Sequence, residues 1–261
     1  MNAKIPEVTV IMACYNAEDS VSLAIQSILN QTFSNFKFIV VDDGSKDSTA
    51  SVLEEWSLSD DRIDVLRNKQ NKGLSASLNR AIDLVETPFI ARMDADDEAL
   101  PNRLQLQFDY MQSHPNVDVL GSAVLTRSGN DKECSGKIPM PSSHEEIVSR
   151  VFKKSLVLHP TIMIKTEVYK RIGTYDNTVR WAEDADLWYR IYDQVTWANL
   201  ESPLLKYTVK SKLTRKIIYN NLKVKITNLK RRGLLLSHSP IIALDLLNYA
   251  YISLKQIIIP R

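Results

Sequence analysis

Short apolar segments alternate with helical periodicity along the N-terminal part of the sequence. Residues 8–13 are continuously apolar and rich in β-branched side chains, as expected for a strand that is buried on both faces. Similar segments follow at residues 36–41, 63–66 and 89–93, separated by amphipathic or turn-forming sequence. Alternating strands and helices imply right-handed crossovers. The sequence therefore predicts the α/β class, with a mostly parallel central sheet flanked by helices.

Polar residues follow three of these strands. Residues 13–16 end the first strand, Asp42 and Asp43 end the second, and the fourth is followed by four carboxylates: Asp94, Asp96, Asp97 and Glu98. The carboxyl ends of parallel strands border one crevice, where ligands bind in open α/β sheets. Carboxylates packed this closely repel one another unless a cation neutralises them, and a hard cation on such ligands commonly carries a phosphate. A solvated turn that caps the next helix would explain one D-x-D, but not the acids at a neighbouring strand end.

Two further segments allow more than one interpretation. Residues 126–143 contain Gly and Pro among Ser, Lys and Asn, which indicates a hairpin or a mobile lid rather than core. Residues 181–188 open a helix that begins with Glu183, Asp184 and, two residues later, Asp186. Complementation of the helix dipole could account for all three acids. The two tryptophans at the ends of the same segment would also suit a wall on which a sugar stacks.

Charge is distributed unevenly along the chain. Residues 206–261 contain 12 Lys and Arg but one acid, Asp245, whereas residues 1–205 contain 21 basic and 30 acidic residues. This asymmetry predicts a large domain at 1–205 and a basic, amphipathic helical region at 206–261. Asp245 and Lys255 interrupt the apolar run at 241–259, so we expect a helix that lies at an anionic membrane surface or packs on the domain. Nucleic acid is not expected as a partner, because aromatic residues are not interleaved with the basic ones.

The cysteines and histidines limit the compartment and the kind of metal site. Cys14 and Cys134 are far apart, and no charged-then-apolar leader precedes the first strand. We therefore expect a cytoplasmic protein. If the basic region binds anionic lipid, the protein is expected to bind peripherally to the inner face of the cytoplasmic membrane. The histidines show no metal-binding spacing, so any metal is expected on carboxylates.

Six motifs in order resemble those of family 2 glycosyltransferases, which are inverting enzymes that use nucleotide-sugar donors. The resemblance extends over residues 7–192 and rests on these segments: V-T-V-I-M-A-C-Y-N at 8–16, D-D-G-S at 42–45, N-K-G-L at 71–74, A-R-M-D-A-D-D at 91–97, P-N-R-L at 101–104 and E-D-A-D-L-W at 183–188. It implies a nucleotide-binding domain of the GT-A type with a C-terminal helical appendage. It also implies a role in the synthesis of bacterial surface polysaccharide: capsule, lipopolysaccharide or exopolysaccharide.

The resemblance implies roles for individual residues. The donor, by default a UDP-sugar, would be bound by Ala13, Tyr15, Asn16, Asp42, Asp43, Gly73, Arg92, Asp94 and Asp96. A carboxylate of the pair at 42–43 would accept from the uracil N–H. Asp96, together with Asp94, would hold Mg²⁺ or Mn²⁺ against the diphosphate. Asp184, beside Glu183, would be the base that takes the proton of a hydroxyl on a glycan or lipid-linked acceptor.

The chain departs from the family pattern in places, and other functions stay open. Many relatives have Pro at position 13 or 14, and many have Arg where this chain has Leu78; Arg67, Lys72 or Arg80 could substitute for that contact with the donor phosphate. A sugar-nucleotide nucleotidyltransferase usually needs a Gly-rich loop after the first strand, which residues 14–18 lack. A receiver-type signalling domain explains neither the E-D motif nor the basic region. A non-catalytic sugar-nucleotide-binding protein is the remaining alternative.

Overall fold

The computed structural model describes residues 5–128, 133–153, 157–209 and 215–258. In chain order the elements are β1 (Val8–Cys14), α1 (Val21–Leu29), β2 (Phe36–Asp42), α2 (Thr49–Ser59), β3 (Ile63–Arg67), α3 (Leu74–Ile82), β4 (Phe89–Asp94), β5 (Glu98–Ala99), α4 (Arg103–Ser113), β6 (Val119–Ser128), β7 (Gly136–Ile138), α5 (His144–Ser149), a 3-10 turn (His159–Thr161), β8 (Met163–Lys165), α6 (Thr166–Ile172), α7 (Glu183–Ile191), β9 (Trp197–Val209), α8 (Arg215–Arg231) and α9 (Ser239–Ile258).

One sheet runs through the described residues in the order β3-β2-β1-β4-β8-β6-β9-β5, with β7 paired to β6. The first four strands are parallel, as the alternating pattern predicted. Beyond β4 the sheet is mixed, because β8 is antiparallel to β4 and β6 while β9 is parallel to β6. Pairing in this half joins segments that are distant in sequence, which local alternation does not encode.

Both faces of the parallel half are covered, which explains its continuously apolar strands. Val10 and Met12 of β1 pack into a core with residues of α1, α2 and α4, whereas Ile11 packs into a second core with residues of α3, α6 and α7. All three side chains are fully buried. The register of β1 places Cys14 beside Asp42 and Ala13 beside Asp94, so three strands end at one edge.

The segment predicted to be a hairpin or lid contains a hairpin in its described part. β6 continues to Ser128 and pairs antiparallel with β7, with Thr126 opposite Gly136. Residues 129–132 lie outside the described residues, so the interpretation as a lid stays a prediction.

The basic C-terminal helices pack on the domain. α8 contacts both α7 and α9, and its Val224 and Leu229 belong to the core beneath α7. Lys225 forms an ion pair with Asp245 of α9, which accounts for the acid that interrupts the apolar run. Strand β9 continues across the domain boundary predicted between residues 205 and 206. Within the described residues, no helix has the length and hydropathy needed to cross a membrane.

Candidate functional site

The loops after β1 and β2 are joined by hydrogen bonds at the carboxyl edge of the sheet. The backbone N–H of Asp43 donates to the carbonyl of Cys14 at 2.8 Å, and the N–H of Asn16 donates to Ser45 Oγ at 3.0 Å. Asn16 has a φ of 50°, a left-handed conformation that Asn tolerates. Tyr15 is exposed beside it. The predicted donor-binding residues of both loops therefore lie along one edge.

Asp43 is buried, and its carboxylate orders the loop before α3. Oδ1 accepts from Asn68 Nδ2 at 2.8 Å and from the Lys72 N–H at 2.9 Å. Oδ2 accepts from the Gly73 N–H at 2.8 Å. Three donors on one carboxylate fix the loop from residue 68 to residue 73 against the end of β2.

Asp42 is fully buried at the end of β2. Its Oδ1 accepts from the Ser45 N–H at 2.9 Å, whereas Oδ2 has no hydrogen-bond partner among the described residues. Arg67 Nε lies 3.2 Å from that oxygen on an exposed side chain. Asp42 Oδ2 is therefore enclosed by protein, whereas Asp43 Oδ2 accepts the single N–H of Gly73 and keeps acceptor capacity for another. Recognition of the base by this acid pair stays a prediction.

Gly73 brings the start of α3 to the same edge. It has a φ of 94°, and α3 begins with the next residue. The first N–H groups of a helix lack partners within the helix and favour an anion. A Cβ on Gly73 would lie 3.7 Å from the guanidinium carbon of Arg180. The Arg180 side chain therefore packs against this loop at Gly73. Sequence reasoning missed Arg180, because this residue precedes the E-D motif without belonging to it.

Residue 78 could not supply the arginine that many relatives have there. Leu78 is fully buried in the core. Of the substitutes considered from the sequence, Arg80 donates to the carbonyl of Arg67 at 2.8 Å and to Asn68 Oδ1 at 2.9 Å. Arg67 lies against Asp42. Arg180 is a further cation beside this loop, since its guanidinium carbon would lie 3.7 Å from a Cβ on Gly73.

Two carboxylates after β4 are committed to structural contacts. Asp97 is buried, and its Oδ1 accepts from the Thr208 N–H at 2.8 Å. Burial raises the pKa of Asp97 to about 8. Glu98 pairs with Arg127 at 3.3 Å and with Lys206 at 2.6 Å. Glu98 therefore belongs to β5, and the sequence did not reveal its two basic partners.

Like Glu98, Asp94 and Asp96 are partly exposed. Arg127 holds the turn between them by donating to the carbonyl of Asp96 at 3.1 Å. Within the described residues, no group of three or more His, Cys, Asp and Glu side chains could hold a metal ion by itself. Two carboxylates still fit Mg²⁺ or Mn²⁺, because such ions are often bound through one or two carboxylates, water and substrate phosphates.

Arg92 lies buried in β4 between the acid cluster and α7. It forms an ion pair with Asp94, and its Nε and the other terminal nitrogen have no hydrogen-bond partner among the described residues. Arg103 donates to the carbonyl of Arg92 at 2.6 Å and so fixes this part of the strand. Arg92 also acts electrostatically on Asp184. Unpaired buried donors on a cation favour an anionic ligand.

The three acids of α7 have different environments. Asp186 is buried, pairs with Arg190 at 2.9 Å, and accepts from Asn228 of α8 at 3.2 Å. It therefore joins α7 to α8, a structural role that the sequence did not predict. Glu183 Oε1 accepts from the backbone N–H of Trp181 at 2.9 Å.

Asp184 is the acid of α7 that fits a role as a base. Its Oδ1 accepts from the Ala185 N–H at 2.8 Å. Burial raises the pKa of Asp184 above its ordinary value, although the Ala185 N–H and the charge of Arg92 act in the opposite direction. Burial likewise raises the pKa of Glu183. A carboxylate with a raised pKa binds a proton more readily, which is what a general base needs.

One of the two tryptophans expected to form a stacking wall is not available for it. Trp188 is 2% exposed, and its ring packs edge-on against Trp197 with the centroids 5.3 Å apart. It belongs to the core because it lies on the inner face of α7. Trp181 is 43% exposed.

Comparison with known families and curated proteins identifies several similar sequences. A family model described as glycosyl transferase family 2 matches residues 9–173, which includes the D-x-D but ends before Glu183. A glycosyltransferase of Methanocaldococcus jannaschii is 36% identical over 207 residues, covering 78% of this chain and 71% of that protein. The O-antigen biosynthesis glycosyltransferase WbnJ of Escherichia coli is 32% identical over 213 residues, covering 80% and 82%.

Solved structures share the fold at lower identity. A crystal structure of Staphylococcus aureus TarS, residues 1–349, in complex with UDP has a TM-score of 0.67 and 21% identity, and it covers 85% of this chain. This chain spans 65% of that fragment and 39% of a longer TarS chain. The mannosyltransferase PcManGT of Pyrobaculum calidifontis, in complex with GDP-Man and Mn²⁺, has a TM-score of 0.65 and 15% identity, covering 95% of this chain and 76% of its own. The shared fold is the GT-A type.

Proposed function

Because the chain belongs to glycosyl transferase family 2, we propose that it transfers a sugar, with inversion, from a nucleotide-sugar donor to a hydroxyl of a glycan or lipid-linked acceptor in surface-polysaccharide synthesis. Membership confirms the resemblance inferred from the six motifs. The observation that carries the proposal is the position of Arg92, which pairs with Asp94 of the D-x-D and acts on Asp184 of the E-D motif. Residues of the D-x-D and of the E-D motif therefore lie within electrostatic range of the same buried cation.

The proposed donor site follows the edge of the sheet. The base lies against the ends of β1 and β2, where Asp43 Oδ2 accepts from the Gly73 N–H and keeps capacity for a ring N–H, whereas the fully buried Asp42 orders the turn at Ser45. The diphosphate lies over Gly73 and the start of α3, where helical N–H groups favour an anion. Arg180 supplies positive charge there, in place of the arginine that Leu78 replaces. UDP is the default nucleotide, since TarS was solved with UDP and with UDP-GlcNAc.

A divalent cation completes the proposed site. Asp96, with Asp94, would hold Mg²⁺ or Mn²⁺, which supplies positive charge against the departing diphosphate. Arg92 orients Asp94 through their ion pair. Its unpaired donors suit the donor sugar or the phosphate next to it. Thr208 and Arg127 fix the turn, because both donate to the carbonyl of Asp96.

Asp184 is the proposed base. As the acceptor oxygen attacks the anomeric carbon, Asp184 takes its proton and the bond from that carbon to the diphosphate oxygen breaks, with the electron pair going to the diphosphate. A single displacement of this kind inverts the configuration. Burial favours the reaction because it raises the pKa of Asp184 and so its affinity for the proton. Glu183 holds the backbone before the helix, which keeps Asp184 in place.

A titration of UDP in the presence of Mn²⁺ tests the donor site. We expect Asp96→Ala to lose metal-dependent UDP affinity, whereas Asp184→Asn keeps it but does not transfer sugar. A panel of UDP-, dTDP- and GDP-sugars, scored by thermal shift, then identifies the donor, because a ligand that binds only the native state raises its stability. Equal UDP affinity in wild type and Asp96→Ala would contradict the metal assignment. UDP-sugar binding without transfer in wild type would support the non-catalytic alternative.

We further propose that α8 and α9 hold the protein on an anionic bilayer at the cytoplasmic face of the membrane. Leu244 and Leu247 of α9 are 58% and 67% exposed, on a region that carries 12 Lys and Arg against one acid. Exposed apolar side chains beside positive charge suit an anionic lipid surface. The ion pair between Lys225 and Asp245 places the acidic side chain of α9 against α8. Leu244 and Leu247 are exposed to solvent.

Sedimentation with liposomes tests this surface without deleting a helix that contributes to the core. We expect the double variant Leu244→Ser/Leu247→Ser to pellet less than wild type with vesicles of phosphatidylglycerol and phosphatidylcholine. Leu58→Ser removes a leucine of α2 that is even more exposed (83%), and it should pellet as wild type does. Equal sedimentation of all three proteins, or equal binding to pure phosphatidylcholine, would contradict the proposal.

A further inference from the structure

Trp181 has an unfavourable backbone conformation directly before the E-D pair. Its φ is 60°, and among the described residues Asn16 is the other residue besides glycine with a positive φ. The left-handed region is unfavourable for a bulky side chain, because Cβ approaches the following carbonyl oxygen. Such a conformation persists where surrounding contacts determine it, and residues of this kind cluster at functional sites.

Contacts from two elements hold Trp181 in place. Its backbone N–H donates to Glu183 Oε1 at 2.9 Å. The Nζ of Lys216, at the start of α8, lies 3.8 Å from the centroid of the indole ring, a cation–π contact. Asn221 of α8 lies 3.5 Å from the Trp181 carbonyl through its Nδ2. The C-terminal helix and the catalytic segment therefore fix this side chain together.

Despite these contacts, Trp181 keeps 43% of its surface exposed. Trp188 and Trp197 are buried in the core, so neither can contact a ligand. A strained, firmly held aromatic side chain with a free surface is poorly explained by packing alone. It lies three residues before Asp184, so its ring is within reach of whatever group gives its proton to that carboxylate.

We propose that Trp181 is the platform on which the sugar ring of the acceptor stacks, with Lys216 as the positioning residue that orients it. The proposal rests on the proposed glycosyl transfer. The donor occupies the strand ends, whereas the acceptor must place a hydroxyl on Asp184, which puts the acceptor on the side of Trp181. The C–H face of a sugar ring is apolar and packs on an aromatic face. Lys216 contacts one face of the indole, and the exposed surface remains for the sugar.

This arrangement gives α8 a part in the acceptor site. The basic C-terminal region then contributes to the chemistry through Lys216, in addition to packing on α7. The region that is proposed to contact the membrane and the side chain that is proposed to contact the acceptor are joined by one helix.

Initial-rate measurements with simple acceptors test the platform. Methyl glycosides of glucose, galactose and N-acetylglucosamine serve as acceptors, with the donor identified by the panel above and Mn²⁺ present. We expect Trp181→Ala to raise the KM for the best glycoside by about tenfold, the loss of roughly one aromatic contact. Trp181→Phe should recover most of the loss. UDP affinity should equal that of wild type in both variants, which shows that the donor site is intact.

Variants of α8 separate positioning from folding. Lys216→Ala should raise the same KM by a smaller factor, and Lys216→Arg should restore it, because a guanidinium also stacks on indole. Lys230→Ala, an exposed lysine of the last turn of α8, should have no effect. As a second readout, the glycoside should reduce acrylamide quenching of tryptophan fluorescence in wild type but not in Trp181→Phe.

The outcomes distinguish this inference from the proposed function. A wild-type protein that binds no UDP would overturn the proposed function and the platform with it. A protein that binds UDP and transfers sugar, but whose Trp181→Ala variant has the wild-type KM for the glycoside, would overturn the platform alone. An increase in UDP Kd that accounts for the change in Trp181→Ala would also overturn it, by showing that the side chain acts on the donor.

Discussion

The backbone N–H of Thr208 donates to Asp97 Oδ1 at 2.8 Å, although the two residues are 111 positions apart. Thr208 Oγ1 also donates to the carbonyl of Asp96, and Arg127 Nη2 donates to the same carbonyl at 3.1 Å. The ends of β6 and β9 thus hold the turn that carries the D-x-D. The positions of Asp94 and Asp96 therefore depend on β6 and β9 as well as on β4.

Replacement of Asp97 tests how much this contact contributes to stability. Asp97→Ala leaves the part-buried N–H of Thr208 without this acceptor, which should lower the free energy of unfolding by about 1 kcal/mol. Asp97→Asn keeps an oxygen that can accept from Thr208, so a smaller loss is expected. Urea denaturation of both variants measures the difference. Equal destabilisation by both would show that the hydrogen bond to Thr208 does not account for the contribution of Asp97 to stability.

Asp184 and Asp186 form a matched pair two residues apart on α7. Asp184→Asn should lower kcat by about 10²–10⁴ while the fold is kept, because it removes a base. Asp186→Asn should instead lower the melting temperature, because Asp186 joins Arg190 and Asn228, and its kcat at a temperature where it is folded should stay near that of wild type. Steady-state kinetics and calorimetry on both variants check this. The opposite pattern would make Asp186 the base.

The pH dependence of transfer should show the raised pKa of Asp184. The base acts without its proton, so kcat/KM should fall as pH decreases through that pKa, at a pH above the ordinary value of 3.8. The charge of Arg92 lowers the pKa of Asp184. Arg92→Gln should therefore move the fall of kcat/KM to a higher pH. Arg92→Lys keeps a positive charge and should move it less. An unchanged pH dependence in Arg92→Gln would show that Arg92 does not act on the base.

Several features of the site could be predicted because they are encoded locally. Continuous apolar segments such as residues 8–13 reveal strands covered on both faces, and the polar residues that end them mark one edge of a parallel sheet. Asp94 and Asp96 were predicted in this way, and both are partly exposed at that edge. The ion pairs of Glu98 and the strand pairing beyond β4 were not predicted, because they join segments that are distant in sequence.

The residues that sequence reasoning missed share that property. Arg127 looks like any surface cation in the sequence, yet it is buried against Glu98 and the Asp96 carbonyl. Trp181 and Trp188 looked equivalent, because both flank the same acids, and helical periodicity did not separate the exposed ring from the buried one. Lys216 lies 35 positions from the ring it contacts, a distance over which composition carries no information about contact.

Two glycines with similar φ values allow the effect of packing at the loop after β2 to be separated from the effect of backbone strain. Gly44 has a φ of 75° and Gly173 a φ of 91°, so alanine at either position is strained, by about 1–2 kcal/mol. A Cβ at Gly44 would also lie 2.7 Å from the backbone carbonyl carbon of Gln70, whereas a Cβ at Gly173 would meet nothing within 4 Å. Gly44→Ala should therefore destabilise the protein by about 1–3 kcal/mol more than Gly173→Ala, since backbone atoms must shift.

The same pair should differ in UDP binding. Gly44 follows Asp43, and the shift of residue 70 would disturb the loop that Asp43 holds through the N–H groups of Lys72 and Gly73. Gly44→Ala should weaken UDP affinity, and Gly173→Ala should leave it unchanged, when both are titrated well below their melting temperatures. If both variants bind UDP as wild type does, the loop between β3 and α3 does not contribute to the donor site. In that case, moving the backbone of residue 70 in this loop has no effect on UDP binding.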